Sequence, residues 1–337
     1  MAGKNEDRDA TFDIMKGIGI LLMLVGHWPG LPHWAHQFIY SFHMPLFFLV
    51  AGYFSKPLSQ ADAIMEGKDG VWIIVKKNAK RLLLPFVFTQ FLLMLWCALQ
   101  AFAKHNPDML IRASLSLLWG GGDELDSPWG LIHIGPMWFL PALFFAKTTF
   151  SIIGKWVKGY WLVLICVVIT LVANVIERYV VWPWCILQGL SGMTFLSIGW
   201  AVKNVNFPKW LYWMAIACWP VAMLFSGLEM YGCYYQCFPL DVLGACGGTL
   251  CVWWLSRQLA KAKWLCVPLI WCGIYSLVIL CFHTFVGYSS IAYSIVIHSP
   301  FELEGNAMVV FSYVLVFCMT FVVIKIPYIR KVYGVKN

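Results

Sequence analysis

The chain has 337 residues, of which 61% are hydrophobic and only 12% charged, and its mean hydropathy is +0.74. A soluble domain of this length carries about a quarter charged residues, so the composition excludes a water-soluble globule and makes the bilayer the solvent. The net charge of +8 does not point to nucleic acid, because the basic residues lie between hydrophobic segments and not on one face or arm; there they act as topology signals.

The start, MAGKNEDRDATFDIMKG, is polar and leads into an apolar segment ending in GHW with no small-residue cleavage site after it. The first helix is therefore expected to stay in the mature protein. Apolar runs near the ~20 residues that cross a bilayer as a helix recur at 14–28, 38–54, 82–103, 137–153, 160–176, 185–202, 210–226, 239–256, 267–286 and 307–324. The expected fold is all-α, a polytopic membrane protein of about ten transmembrane helices. It forms a single membrane-embedded domain over 1–337 with short tails at 1–12 and 325–337.

Charge tests the count. With the N-terminus inside, nineteen of the 24 lysines and arginines fall in one set of loops, and only Lys104, Arg112 and Arg178 fall in the opposite set. Lys16 and Lys147 lie within spans. This bias favours an even number of spans with both termini cytoplasmic. The 55–81 segment reads as a long basic cytoplasmic loop, and 104–136 as a long outer segment rich in glycine and acidic residues, including Asp123, Glu124 and Asp126.

Of twelve cysteines, Cys97, Cys166, Cys218, Cys246, Cys251, Cys272, Cys281 and Cys318 fall inside apolar segments as small buried hydrophobes. Cys233 and Cys237 share a short outer turn, where an oxidising compartment would allow a disulfide. No spacing resembles a metal site.

Ionisable groups inside a membrane are functional candidates, and the first helix carries three: Asp13, Lys16 and His27. At ~100° per residue, eleven residues make about three turns plus ~20°, so Lys16 and His27 project from nearly one face, ~16 Å apart along the axis. Each has a plainer reading. Lys16 is suited to snorkelling toward the cytoplasmic interface beside Asp13, and His27 to bonding backbone at the outer interface. Together they would line one cavity, a cation meeting the phosphates of an extended donor such as an acyl-coenzyme A and a histidine placed to take a proton from a hydroxyl.

Further along, SFHMPLFFLVAGYF places His43 and Pro45 early in the second span. KKNAKRLLLPF sets Lys76, Lys77, Lys80 and Arg81 at the mouth of the third. GPMWFLPALFF opens the fourth with Trp138, and GIYSLVILCFHTF carries Ser276 and His283 in the ninth. The plain readings are a positive-inside signal for the basic cluster, a packed polar residue for His43, an interfacial aromatic for Trp138 and a loop-facing residue for His283.

These segments, in this order, resemble the membrane acyltransferases often called acyltransferase family three, which include sugar O-acetyltransferases. The family pattern of a basic residue, ten intervening residues and a histidine is matched by Lys16 and His27, and the resemblance runs from Asp13 to about Phe285. It implies transfer of an acyl group, usually acetyl, from cytosolic acetyl-CoA (acyl-CoA) to a hydroxyl of a glycan or lipid-linked sugar. His27 would be catalytic, and the bacterial character of the family implies an inner-membrane location. The basic cluster corresponds to a family element with two arginines separated by two residues: Arg81 fits the second, while Asn78 stands at the first and Lys77 or Lys80 would substitute.

The sequence thus predicts His27, His43 and His283 as catalytic, with His43 and His283 the candidates for oxyanion stabilisation. Lys16, Lys77, Lys80 and Arg81 are predicted to bind the donor, and Trp138 and Ser276 to contact substrate, with no metal. The alternative from another class is a secondary transporter for an anionic or sugar-linked solute, with Lys16 and His27 as gate or proton relay; no inverted repeat supports it.

Overall fold

A computed structural model describes residues 9–58, 70–103, 105–120, 135–288 and 305–335. In chain order the helices are α1 (Ala10–Gly26), α2 (His33–Tyr40), α3 (His43–Tyr53), α4 (Gly70–Asn78), α5 (Leu84–Ala103), α6 (Pro107–Trp119), α7 (Phe139–Ile153), α8 (Tyr160–Glu177), α9 (Ile186–Ser191), α10 (Met193–Asn204), α11 (Lys209–Phe225), α12 (Phe238–Leu259), α13 (Val267–Ile274), α14 (Ser276–Tyr288), α15 (Gly305–Lys325) and α16 (Pro327–Val332). A π-helical turn, Ala79–Leu83, joins α4 to α5. Among the described residues the only sheet is a hairpin, β1 (Leu228–Glu229) paired antiparallel with β2 (Tyr234–Tyr235).

The protein is an all-α membrane protein. Among the described residues, five helical stretches, Gly70–Ala103, Gly135–Ile153, Tyr160–Glu177, Phe238–Ala262 and Asn306–Lys325, are long and apolar enough to cross a bilayer. Two bent pairs raise this to seven: α9 with α10, bent by 49°, and α13 with α14, bent by 75°. Each predicted span overlaps helix, but the second is split into α2 and α3 by a turn at Ser41–Phe42, the sixth at Gly192 and the ninth at Tyr275. Two segments expected as loops contain helices. α4 begins inside 55–81, and α6 inside 104–136, where Asn106 caps the first turn by accepting the Asp108 N–H at 3.2 Å and Gly120 ends the helix at φ 71°. Asp123, Glu124 and Asp126 lie outside the described residues.

α8 shows how these helices sit in lipid. Leu162, Cys166, Thr170 and Ala173 are buried on one stripe, while Leu164, Val168, Leu171, Val172 and Val175 are exposed. A helix apolar on both faces is solvated by hydrocarbon, not water. The buried stripe is joined through polar groups: Thr170 Oγ1 donates to the Leu190 carbonyl at 3.2 Å and accepts from the Thr194 hydroxyl at 2.9 Å. Cys318, expected buried, is exposed, as are other side chains of the same lipid-suited helix, and Cys233 and Cys237 are free thiols.

The chain divides into two compact units: Met1–Phe47, Pro208–Gly227 and Gln236–Leu277 in the first, and Phe48–Phe207, Leu228–Tyr235 and Val278–Asn337 in the second. In both, small residues let helix backbones touch, because lipid provides no hydrophobic drive and association depends on close packing. In the first unit a Cβ at Gly17 would lie 2.0 Å from the Leu269 carbonyl oxygen, and one at Gly273 would lie 1.7 Å from that of Asp13. In the second, Gly52 meets the Leu196 carbonyl and Gly199 that of Leu49 in the same way. Gly273→Ala should therefore force α13 from α1 and destabilise by about 1–3 kcal/mol, read as a lowered melting temperature in detergent. An unchanged melting temperature would refute the close approach.

Candidate active site

Asp9 caps α1, accepting the Thr11 N–H at 2.9 Å, and one turn later the helix carries Asp13 and Lys16. Asp13 is buried, its backbone pressed against Gly273. The Lys16 ammonium lies 2.8 Å from Asp13 Oδ1, with the lysine side chain 25% exposed. The positions i and i+3 place the two side chains on one face, so the pairing follows from spacing alone. The plainer reading of Lys16, beside Asp13, is thus part of the structure.

His27 stands one residue past the end of α1. Its backbone N–H caps the helix through the carbonyls of Met23 at 3.3 Å and Leu24 at 3.2 Å. Since α1 is continuous to Gly26, His27 follows its C-terminal end and Lys16 lies eleven residues earlier on the same element, about 16 Å away at ~1.5 Å per residue.

The helix end then meets α2, where Gly26 packs on Ile39 and Tyr40. Tyr40 gathers three histidines. Its ring lies 6.5 Å from His27 edge-on, 3.8 Å from His36 in a stack, and 4.8 Å from His43 edge-on. His43 is buried, and its Nδ1 lies 2.9 Å from the Ile39 carbonyl. A carbonyl only accepts, so Nδ1 carries the proton and the neutral ring presents Nε2 as an acceptor. The structure thus brings two predicted histidines, His27 and His43, to one tyrosine, and adds His36 and Tyr40. The signal for these two was present: His33, His36, Tyr40 and His43 are spaced by three, four and three residues, one stripe of a helix.

Ser276 begins α14 at the 75° bend, and its hydroxyl donates to the Gly273 carbonyl at 3.0 Å. That bond ties the first residue of α14 back to α13 across the bend, which gives Ser276 a local structural use.

The other predicted residues belong to the second unit. His283 is buried on α14, its ring 6.0 Å from that of Tyr313. Trp138 is also buried, edge-on to Phe139 at 6.2 Å and to Tyr231 at 5.6 Å, so it belongs to an internal aromatic group and not to an interfacial belt. Lys77, Lys80 and Arg81 are exposed on α4 and the π turn. Asn78 between them is buried and donates from Nδ2 to Thr148 Oγ1 at 3.1 Å. It ties α4 to α7. Beside Thr148, the Lys147 ammonium donates to Ser55 Oγ at 3.0 Å and to the Ala51 carbonyl at 3.4 Å, and α4 and the π turn, which carry Lys77 and Arg81, pack against this helix.

Among the described residues, no group of three His, Cys, Asp or Glu side chains is arranged to hold a metal ion.

The chain is an α-helical membrane protein whose first unit carries a histidine–tyrosine cluster after α1 and whose second unit carries a basic cluster on α4 and the π turn. Residues 9–326 match the family described as an acyltransferase domain, and the chain belongs to that family. It is 28% identical over 229 residues to nodulation protein NolL of Mesorhizobium japonicum, covering 63% of this chain and 54% of the relative. It is 29% identical over 240 residues to nodulation protein NolL of Sinorhizobium fredii, covering 66% and 58%. The chain thus spans a little over half the length of these curated relatives. No solved structure matches it.

Breaking a buried ion pair by removing one partner costs more than replacing both. Asp13→Asn should lower the melting temperature, at the low end of about 3–5 kcal/mol because Lys16 is partly exposed. The double change Asp13→Leu with Lys16→Met should restore most of it. A double variant as unstable as Asp13→Asn would contradict this account.

Proposed function

We propose that the chain is an integral membrane O-acyltransferase that moves an acyl group, most simply acetyl, from cytosolic acyl-CoA to a hydroxyl of a glycan or lipid-linked sugar. The reading is supported by membership in the acyltransferase domain family. The observation that carries it is His27, set at the end of α1 beside Tyr40 and His43. Nineteen of 24 cationic side chains in one set of loops favour ten crossings with both termini in the cytoplasm, in an inner membrane and as one embedded domain. In that orientation His27 lies toward the outer half and the basic cluster toward the cytosol.

In the proposed reaction His27 takes the proton of the acceptor hydroxyl, and its oxygen attacks the thioester carbonyl carbon. The C–O bond forms and the carbonyl π electrons move onto oxygen. The tetrahedral oxyanion collapses, the C–S bond breaks, and the coenzyme A thiolate leaves, to be protonated by the histidinium. The base returns neutral and the products are an ester and a thiol. A donor aimed at the oxyanion lowers the barrier where charge develops; the Tyr40 hydroxyl joins His283 as a candidate for it, whereas the neutral His43, its one proton held on Nδ1 by the Ile39 carbonyl, offers Nε2 only as an acceptor. Lys16, Lys77, Lys80 and Arg81 would meet the phosphates of the donor, and Trp138 would line the acceptor path.

Purified protein supplied with radiolabelled acetyl-CoA and a panel of glycans tests this. His27→Ala should reduce label transfer by about 10²–10⁴-fold, the usual contribution of a general base, while acetyl-CoA binding and melting temperature stay near wild type. Equal transfer by His27→Ala and wild type would remove His27 from the mechanism. Solute accumulation in vesicles without label transfer would favour a transporter.

A further inference from the structure

Lys147 is the one cation that the sequence reading leaves inside a span without a role. It sits mid-way along α7, half-buried, with its ammonium donating to Ser55 Oγ and the Ala51 carbonyl. Two acceptors use two of its three protons. No carboxylate pairs with it among the described residues, and its charged neighbours, Lys77 and Arg81, are cations. The contact between Asn78 and Thr148 holds α4 against α7 at this point, so the three positive groups are kept together by neutral contacts on either side. The segment following Asn78 is a π turn, Ala79–Leu83, an arrangement frequent at functional sites.

Three like charges near one another, one of them half-buried, repel, and an anion placed between them relieves that repulsion. Neutral hydrogen bonds orient the Lys147 ammonium but do not cancel its charge. We propose that Lys147, Lys77 and Arg81 form a binding site for a phosphate-ester anion, with Lys147 as its inner cation. On the reading given above, on which this rests, that anion is a phosphate of the acyl-CoA donor; the headgroup of an anionic phospholipid has the same chemistry. A phosphate offers acceptor oxygens to the third Lys147 proton and to the guanidinium of Arg81, which suits forked contact with phosphate.

Lys147→Met keeps the length of the side chain and removes its charge, and Lys147→Arg keeps the charge. Coenzyme A affinity is measured for wild type and both variants in nanodiscs of phosphatidylcholine alone. Phosphatidylglycerol retained by protein extracted from mixed bilayers is counted by native mass spectrometry. Charge-assisted hydrogen bonds of this kind are usually worth about tenfold or more in affinity. The expected result is that Lys147→Met weakens coenzyme A binding at least about tenfold, that Lys147→Arg recovers most of it, and that the ligand-free melting temperature does not fall. If wild type binds no coenzyme A but retains phosphatidylglycerol that Lys147→Met loses, the site stands with a lipid occupant and the donor reading fails. If wild type binds coenzyme A and Lys147→Met binds it and the lipid equally well, the site fails while the donor reading stands. Wild type that binds neither ligand, or a Lys147→Met variant that loses thermal stability together with affinity while Lys147→Arg does not restore binding, overturns the site in favour of a purely structural lysine.

Discussion

A charge taken out of water must be answered by something within reach, and two lysines inside this chain are answered differently. Lys16 has a carboxylate at 2.8 Å, on the same helix face and already buried. Lys147 has a hydroxyl, a carbonyl and two other cations. The local fold is arranged around both answers. Asp13 is held in place because Gly273 allows α13 to press on its backbone, and Asn78 clamps α4 to α7 on Thr148, the residue after Lys147.

Glycine has a second consequence in this setting. In lipid the helices gain little from burying apolar side chains, and backbone contact substitutes for it. Gly17 and Gly273 join the helix bearing Lys16 to α13, just before the bend at Tyr275. At the bend Ser276 bonds back to the Gly273 carbonyl and so fastens α14 to the end of α13. Small residues, a broken helix and a buried ion pair are therefore one local solution and not three separate features.

Much of this was legible in the sequence. Hydropathy located helices at every predicted span, and the i to i+3 spacing of Asp13 and Lys16 contained their ion pair. The histidine at the end of α1 was visible as the close of an apolar run. The turn at Ser41–Phe42 was not, because FIYSFHMPLFF is apolar on both sides and carries no glycine to mark it, while Pro45 sits within the first turn of α3, where proline is tolerated. For that reason a span beginning at residue 38 contains His43 but leaves out His36, and Tyr40 carries no signal of its own within it. The α6 helix was hidden by charge, although Asn106, Pro107 and Gly120 are ordinary start and stop signals. The partners of Asn78 and Lys147 lie 70 and 92 residues away, distances at which no local pattern in one sequence carries information.

The contrast between the two lysines bears on where binding energy for an anion resides. An ammonium already paired with a carboxylate has spent its charge: an incoming phosphate would have to compete with Asp13 for Lys16 or share it, and the net gain would be small. A cation surrounded by other cations is in the opposite condition, since any anion that arrives relieves repulsion as well as adding attraction. On this argument the cluster at Lys77, Arg81 and Lys147 is the stronger anchor for phosphate. Lys16, its charge shared with Asp13, would add less to that contact, while the pair fixes the geometry of the helix that leads to His27.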